Sequence, residues 1–214
     1  MEINKKIYLK LVGVLFILFS LYSYSVNLYY GRWYELAWMC YFGLFLVGIG
    51  MLLENGFLIL TQLNILFIVD IFWNIDFWFH AVTGRTLLGI INYYVLERNI
   101  LFKAISIQHV FFVPFSLVAL YYLKLARFDA WKVSLMQVAV VFPITYLFTP
   151  MKENVNCVFR ECVNIGMGVP YFFKWLACLM IIIIITNLVI YYSGIFREVR
   201  KNQNFSNKKL KIPS

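Results

Sequence analysis

Hydrophobic positions in this chain do not alternate with polar ones; they run together in long blocks separated by short polar segments. Six blocks stand out, covering residues 7–30, 33–53, 57–79, 109–123, 131–149 and 171–196. A helix rises about 1.5 Å per residue and the hydrocarbon core of a bilayer is about 30 Å thick, so roughly 20 apolar residues suffice to span it. Each block is therefore expected to be a membrane-spanning helix. The fourth is the shortest, and it can start near Phe102, because Ile105 and Ile107 continue its apolar character. The first is too long for a signal-peptide core and lacks a small-residue cleavage site, so it is expected to stay as an anchor. Between the third and fourth blocks, Leu87, Leu88, Ile90, Ile91, Tyr94, Val95 and Leu96 recur at helical spacing, which predicts an interfacial or partly re-entrant helix. There is no internal repeat and no dividing linker. The expected fold is all-α: a polytopic transmembrane bundle of about six helices over residues 1–196, followed by a basic, disordered cytoplasmic tail at 197–214.

Composition points the same way. Of 214 residues, 63% are hydrophobic, 20% aromatic and only 14% charged, a balance that a water-soluble domain of this size could not expose. Charge adds an orientation. Of the nineteen basic residues, Lys5, Lys6, Lys10, Lys124, Arg127, Lys132, Arg197, Arg200, Lys201, Lys208, Lys209 and Lys211 fall on the side of the termini. Arg32, Arg85, Arg98, Lys103, Lys152, Arg160 and Lys174 fall on the other, so both termini are expected in the cytoplasm. The net charge of +9 is spread over loops without a nucleic-acid motif; the expected partners are membrane lipids. Gly43, Gly48 and Gly50 offer small surfaces for close helix packing. Tyr29, Tyr30, Trp33, Tyr34 and Trp38, with Tyr171 and Trp175, form an expected interfacial belt.

Polar groups inside hydrocarbon cost roughly 2.5–3.5 kcal/mol each, so those present need partners or a purpose. They concentrate in the third block. At about 100° per residue, Asp70 and Asn74 share one face, while Gln62, Asp76 and His80 share another. Asp76 and His80 are four residues apart, spacing that suits either an acid–base pair or a structural ion pair at the helix end. Asp70 lies near mid-membrane, where it is expected to be neutral and hydrogen-bonded by Asn64, Asn74, Gln137 or Thr145; a polar ion track through Asn64, Asp70 and Asn74 is the alternative. Glu35 and Cys40, in the outer half of the second block, share a leaflet with Asp76, His80 and His109 and with Glu153, Asn156, Cys157 and Glu161 of the outer loop. Cys157 and Cys162, with four residues between them, could form a local disulfide in an oxidising compartment or remain thiols. The four cysteines have no zinc spacing, and neither metal nor cofactor is expected.

Three short strings resemble a family. Tyr30-Gly31-Arg32-Trp33-Tyr34-Glu35-Leu36 resembles the lead into the second span of the androgen-induced, six-span intramembrane hydrolases, and His109 with Pro114 resembles their histidine-bearing helix. Asn154-Val155-Asn156 is similar to the junction after the fifth span of bacterial YwaF-like proteins and their eukaryotic acyltransferase relatives. The resemblance implies a six-span bundle acting on acyl chains. Where the hydrolases carry a threonine this chain has Ala37; the cysteine of the acyltransferase relatives is matched by Cys40, which implies Cys40 as nucleophile and His109 as base. Three functions stand open: an enzyme acting on lipid or acyl chains at the outer leaflet, with Cys40, His109, Asp76 and His80 as site residues; a small transporter or channel on Asp70, Asn64 and Asn74; and a scaffold or accessory subunit whose polar groups pin helices together.

Overall fold

The computed structural model describes residues 2–125, 127, 129–162 and 170–195; the expected tail at 197–214 lies outside them. The described residues are helical throughout, without a strand: α1 (Glu2–Tyr29), α2 (Met39–Leu52), α3 (Gly56–Thr83), α4 (Asn92–Leu96), α5 (Ile100–Ser106), α6 (Gln108–Leu123), α7 (Ala130–Phe148) and α8 (Tyr171–Ile190). Among the described residues, five stretches are long and apolar enough to cross a membrane: Asn4–Tyr29, Gly56–Thr83, Ile100–Leu123, Ala130–Phe148 and Tyr171–Ser193. The fourth expected span thus begins at Ile100, not at His109. Ile107 between α5 and α6 keeps helical torsions (φ −62°, ψ −18°), so the two helices run on as one and carry His109 well inside it.

The second expected span is the one that changes most. Residues 33–53 do not form one helix: Trp33–Ala37 make a 3-10 turn, Trp38 is extended (ψ 122°), and α2 has only 14 residues. Asn156 of the loop before α8 sits astride the break. Its side-chain N–H donates to the Ala37 carbonyl (2.7 Å) and its side-chain oxygen accepts from the Met39 N–H (2.9 Å), which caps α2 as a side chain caps any helix start. Arg32 braces the same turn. Its guanidinium pairs with Glu35 (3.4 Å) and Glu97 (3.1 Å) and lies 3.8 Å over the Phe102 ring, tying the α1–α2 turn to the α4–α5 connection. Burial opposes ionisation of Glu97, but the Asn99 N–H and the Arg32 guanidinium outweigh it and hold the carboxyl below its usual range.

α3 runs through the middle, packed against α2, α6, α7 and α8. α1 lies on α2 where Gly13 meets Gly48: a Cβ on Gly48 would sit 2.8 Å from the Gly13 carbonyl, and one on Gly13 2.9 Å from the Gly48 carbonyl. Only glycine lets the two backbones touch. Leu44, Val47, Met51, Leu60, Leu63 and Ile183 fill the centre, while Leu11, Leu15, Leu18, Ile181 and Ile185 face outward, so the outside of the bundle is apolar as well.

The stripe expected to form a helix at 87–96 is only partly helical. Gly84 and Gly89 take positive φ (72° and 76°), which ends α3 in a left-handed cap, and residues 84–91 fold back as bends and turns until α4 begins. The apolar residues there wrap the end of α3 because a buried carboxylate, Asp76, holds their backbone.

Candidate active site

Each polar residue of α3 finds a different neighbour. Gln62 and Gln137 of α7 exchange amide hydrogen bonds (2.8 and 3.0 Å). The Asn64 amide donates to Ser134 of α7 (3.3 Å) and Asn187 of α8 (3.2 Å). Six residues of helix turn through about 600°, so Asp70 points well away from Asn64, toward α6 instead. The expected track through Asn64, Asp70 and Asn74 is therefore divided: Asn64 is taken up by α7 and α8, and Asn74 donates to the main-chain carbonyls of Asp70 (2.8 Å) and His109 (2.7 Å).

Asp76 and His80 do not pair. The Asp76 carboxylate, fully buried, accepts from the backbone N–H of Leu87 (2.6 Å), Leu88 (2.9 Å) and Ile91 (3.1 Å). Both oxygens are engaged by the loop, and His80 Nδ1 is buried without a partner among the described residues. The expected outer-leaflet cluster of Asp76, His80 and His109 is thus replaced by a different grouping.

That grouping is built on Asp70. Its carboxyl takes none of the expected partners Asn64, Asn74, Gln137 and Thr145; its Oδ1 lies 2.7 Å from His109 Nδ1, with the two side chains only 2% and 12% exposed. The Trp73 indole stacks on the imidazole, with ring centres 4.9 Å apart and planes at 29°, and donates from Nε1 to the Tyr93 hydroxyl (2.8 Å). Asn74 fixes the backbone of His109 one turn above. Cys40 of α2 lies beside the ring without a hydrogen bond to it. Carboxylate, imidazole and thiol thus come from α3, α6 and α2.

The break before α2 gives the thiol a particular place. Cys40 is the second residue of α2, where backbone N–H groups have no intrahelical acceptor and the helix dipole favours negative charge. In one continuous helix over 33–53 it would have had neither. Asp70 is the member that sequence reasoning left out; the signal for it was the apolar run from Phe102, which places His109 at the depth of Asp70.

The other outer-loop candidates serve the scaffold. Cys157 and Cys162 are joined by a disulfide, and the Tyr171 hydroxyl donates to the carbonyls of Cys157 and Arg160. Trp175 Nε1 donates to the Asn156 carbonyl (3.0 Å), which holds the capping amide in place. A groove of about 500 Å³ opens between the turn before α2 and α7, lined by Leu36, Met39, Phe42, Val140 and Ile144; Cys40 faces away from it. Among the described residues no three His, Cys, Asp or Glu side chains are grouped to hold a metal ion. No protein-family model, no curated protein and no solved structure matches this chain, so the meaning of the site is read from its own geometry.

Proposed function

We propose that this chain is a multi-pass membrane enzyme that transfers acyl groups through a thioester on Cys40. The observation that carries the reading is the buried Asp70–His109 contact of 2.7 Å, a carboxylate–imidazole pair that faces the start of α2, where Cys40 lies. Asp70 holds the imidazole in the tautomer with Nε2 free. His109 takes the thiol proton as sulfur attacks the acyl carbonyl, then returns it to the departing alcohol or thiol. The acyl group remains on Cys40 until an alcohol, amine or water attacks the thioester, its proton again passing to His109. The substrate class is a lipid ester or acyl thioester arriving laterally from the bilayer; the resemblance of His109 with Pro114 to the histidine-bearing helix of the intramembrane hydrolases, and of Cys40 to the cysteine of the acyltransferase relatives, supports the same chemistry.

Purified protein treated with a fluorescent long-chain p-nitrophenyl ester is expected to gain a hydroxylamine-sensitive acyl group on Cys40. Cys40→Ser is expected to form no thioester, and His109→Ala to acylate about 10²–10⁴-fold more slowly. A thioester formed equally well by Cys40→Ser, or an unchanged rate in His109→Ala, refutes the reading.

In the same proposal six helices cross the bilayer, α2 included, with both termini cytoplasmic and the disulfide loop outside. The basic excess on the terminal side supports it, as does the Cys157–Cys162 disulfide, since such bonds persist in oxidising compartments. In a background with Cys40 and Cys178 replaced by serine, a membrane-impermeant maleimide applied to intact cells is expected to label Lys152→Cys and to spare Lys6→Cys until permeabilisation. The opposite pattern inverts the topology.

A further inference from the structure

A buried amide beside the site is left without partners. Gln108 is 2% exposed, and neither its side-chain oxygen nor its side-chain nitrogen has a hydrogen bond among the described residues. Buried polar groups are nearly always paired, and leaving one unpaired costs stability, so a side chain with both atoms unused calls for a reason. In a membrane bundle, a leucine or methionine of the same volume would have filled the space without that cost.

The packing of α1 against α6 tells where this amide lies. The two helices run antiparallel. Tyr8 packs on Tyr122 and donates to the Phe115 carbonyl, Phe16 stacks on Phe112, and Phe19 packs edge-on against Phe111. The next turn of α1 therefore faces the first turn of α6, and Gln108, four residues before Phe112, projects from the same face of that turn. On α1 this level is marked by Ser20, which donates to the Tyr41 carbonyl (2.9 Å), and by Tyr24, whose ring packs on Tyr41 at 6.1 Å. Cys40 precedes Tyr41 and is the neighbour of His109, which follows Gln108. Gln108 and Cys40 thus both belong to the junction of α1, α2 and α6, each one residue from a group that marks it.

We infer, building on the acyl-transfer reading above, that Gln108 is a catalytic residue whose side-chain N–H binds the oxyanion formed when Cys40 attacks an acyl carbonyl. Attack forms the C–S bond, moves the carbonyl π electrons onto oxygen and passes the thiol proton to His109; collapse restores the C=O, breaks the bond to the leaving group and returns the proton to it. Negative charge on oxygen exists only between these two events. A donor already oriented, with nothing else to bind, stabilises that charge without having to release another partner first.

The test compares two probes on the same thiol. The p-nitrophenyl ester passes through an oxyanion; iodoacetamide alkylates sulfur by direct displacement and does not. Gln108→Leu is expected to lower the acylation rate about 10²–10³-fold, to leave alkylation unchanged and to raise the melting temperature, because two unpaired polar atoms are removed. Gln108→Met serves the same comparison if the leucine variant misfolds, and Gln108→Asn is expected to restore part of the acylation rate. Equal rates of acylation in Gln108→Leu and wild type, or a parallel fall with both probes, overturns the assignment. A wild-type protein that alkylates at Cys40 but never acylates overturns the acyl-transfer reading itself, and this inference with it.

Discussion

Replacing Asp70 by asparagine is expected to slow acylation of Cys40 by a factor on the order of 10⁴ while the protein remains folded. An amide fits the volume of the carboxylate and its oxygen can still accept from His109 Nδ1–H. It can also donate through Nδ2, however, and that alternative selects the imidazole tautomer with the proton on Nε2. Such a ring cannot accept the thiol proton. The two variants of Asp70 separate chemistry from support. Asparagine keeps a hydrogen bond at 2.7 Å geometry, so thermal unfolding in detergent is expected to change little. Alanine leaves a buried imidazole facing an empty site and is expected to cost about 3–5 kcal/mol. Acylation by Asp70→Asn at the wild-type rate, measured with the long-chain ester, would show that the carboxylate only fills space.

The largest loss of stability is expected from Asp76→Ala. Its carboxylate gathers the backbone N–H groups of Leu87, Leu88 and Ile91 within 3.1 Å, and no other described group replaces it there. At about 1–3 kcal/mol for each of the three donors left unsatisfied, removal costs on the order of 3–9 kcal/mol. Those three amides are expected to exchange with solvent deuterium much faster than in wild type, and denaturant unfolding to begin earlier. The effect reaches the active site through Tyr93, which follows this loop and accepts from Trp73, the ring stacked on His109. Asp76→Asn, which keeps one acceptor oxygen, is expected to fall between. If Asp76→Ala unfolds like wild type and protects the three amides equally, the carboxylate is not what folds the loop.

The all-helical bundle was legible in the sequence because long apolar blocks have few alternatives in a chain so poor in charge. Boundaries were less legible where a single distant residue decides them. The division of 33–53 depends on Asn156, more than a hundred residues away, whose amide bonds both sides of the break; the apolar run itself carries no sign of it. The loop helix at 87–96 had the right periodicity, yet a carboxylate with two oxygens to fill took the N–H groups that helix formation would have used. The candidate site was less legible. Cys40 and His109 were brought together by the resemblance alone, and Asp70 was assigned to another depth because His109 was counted from the start of its span. Taking the start at the apolar residues near Phe102 moves His109 inward by about two turns, to the level of Asp70.

The shortness of α2 reaches beyond the protein. Fourteen residues extend about 21 Å, against a hydrocarbon core of about 30 Å. Lipids around so short an apolar helix thin locally or tilt to match it. In the proposed six-span topology, headgroups and water on the side where α2 begins come down toward the first turn that carries Cys40, so that a phospholipid there would present its ester-bearing glycerol backbone, rather than its hydrocarbon tails, at the depth of that thiol.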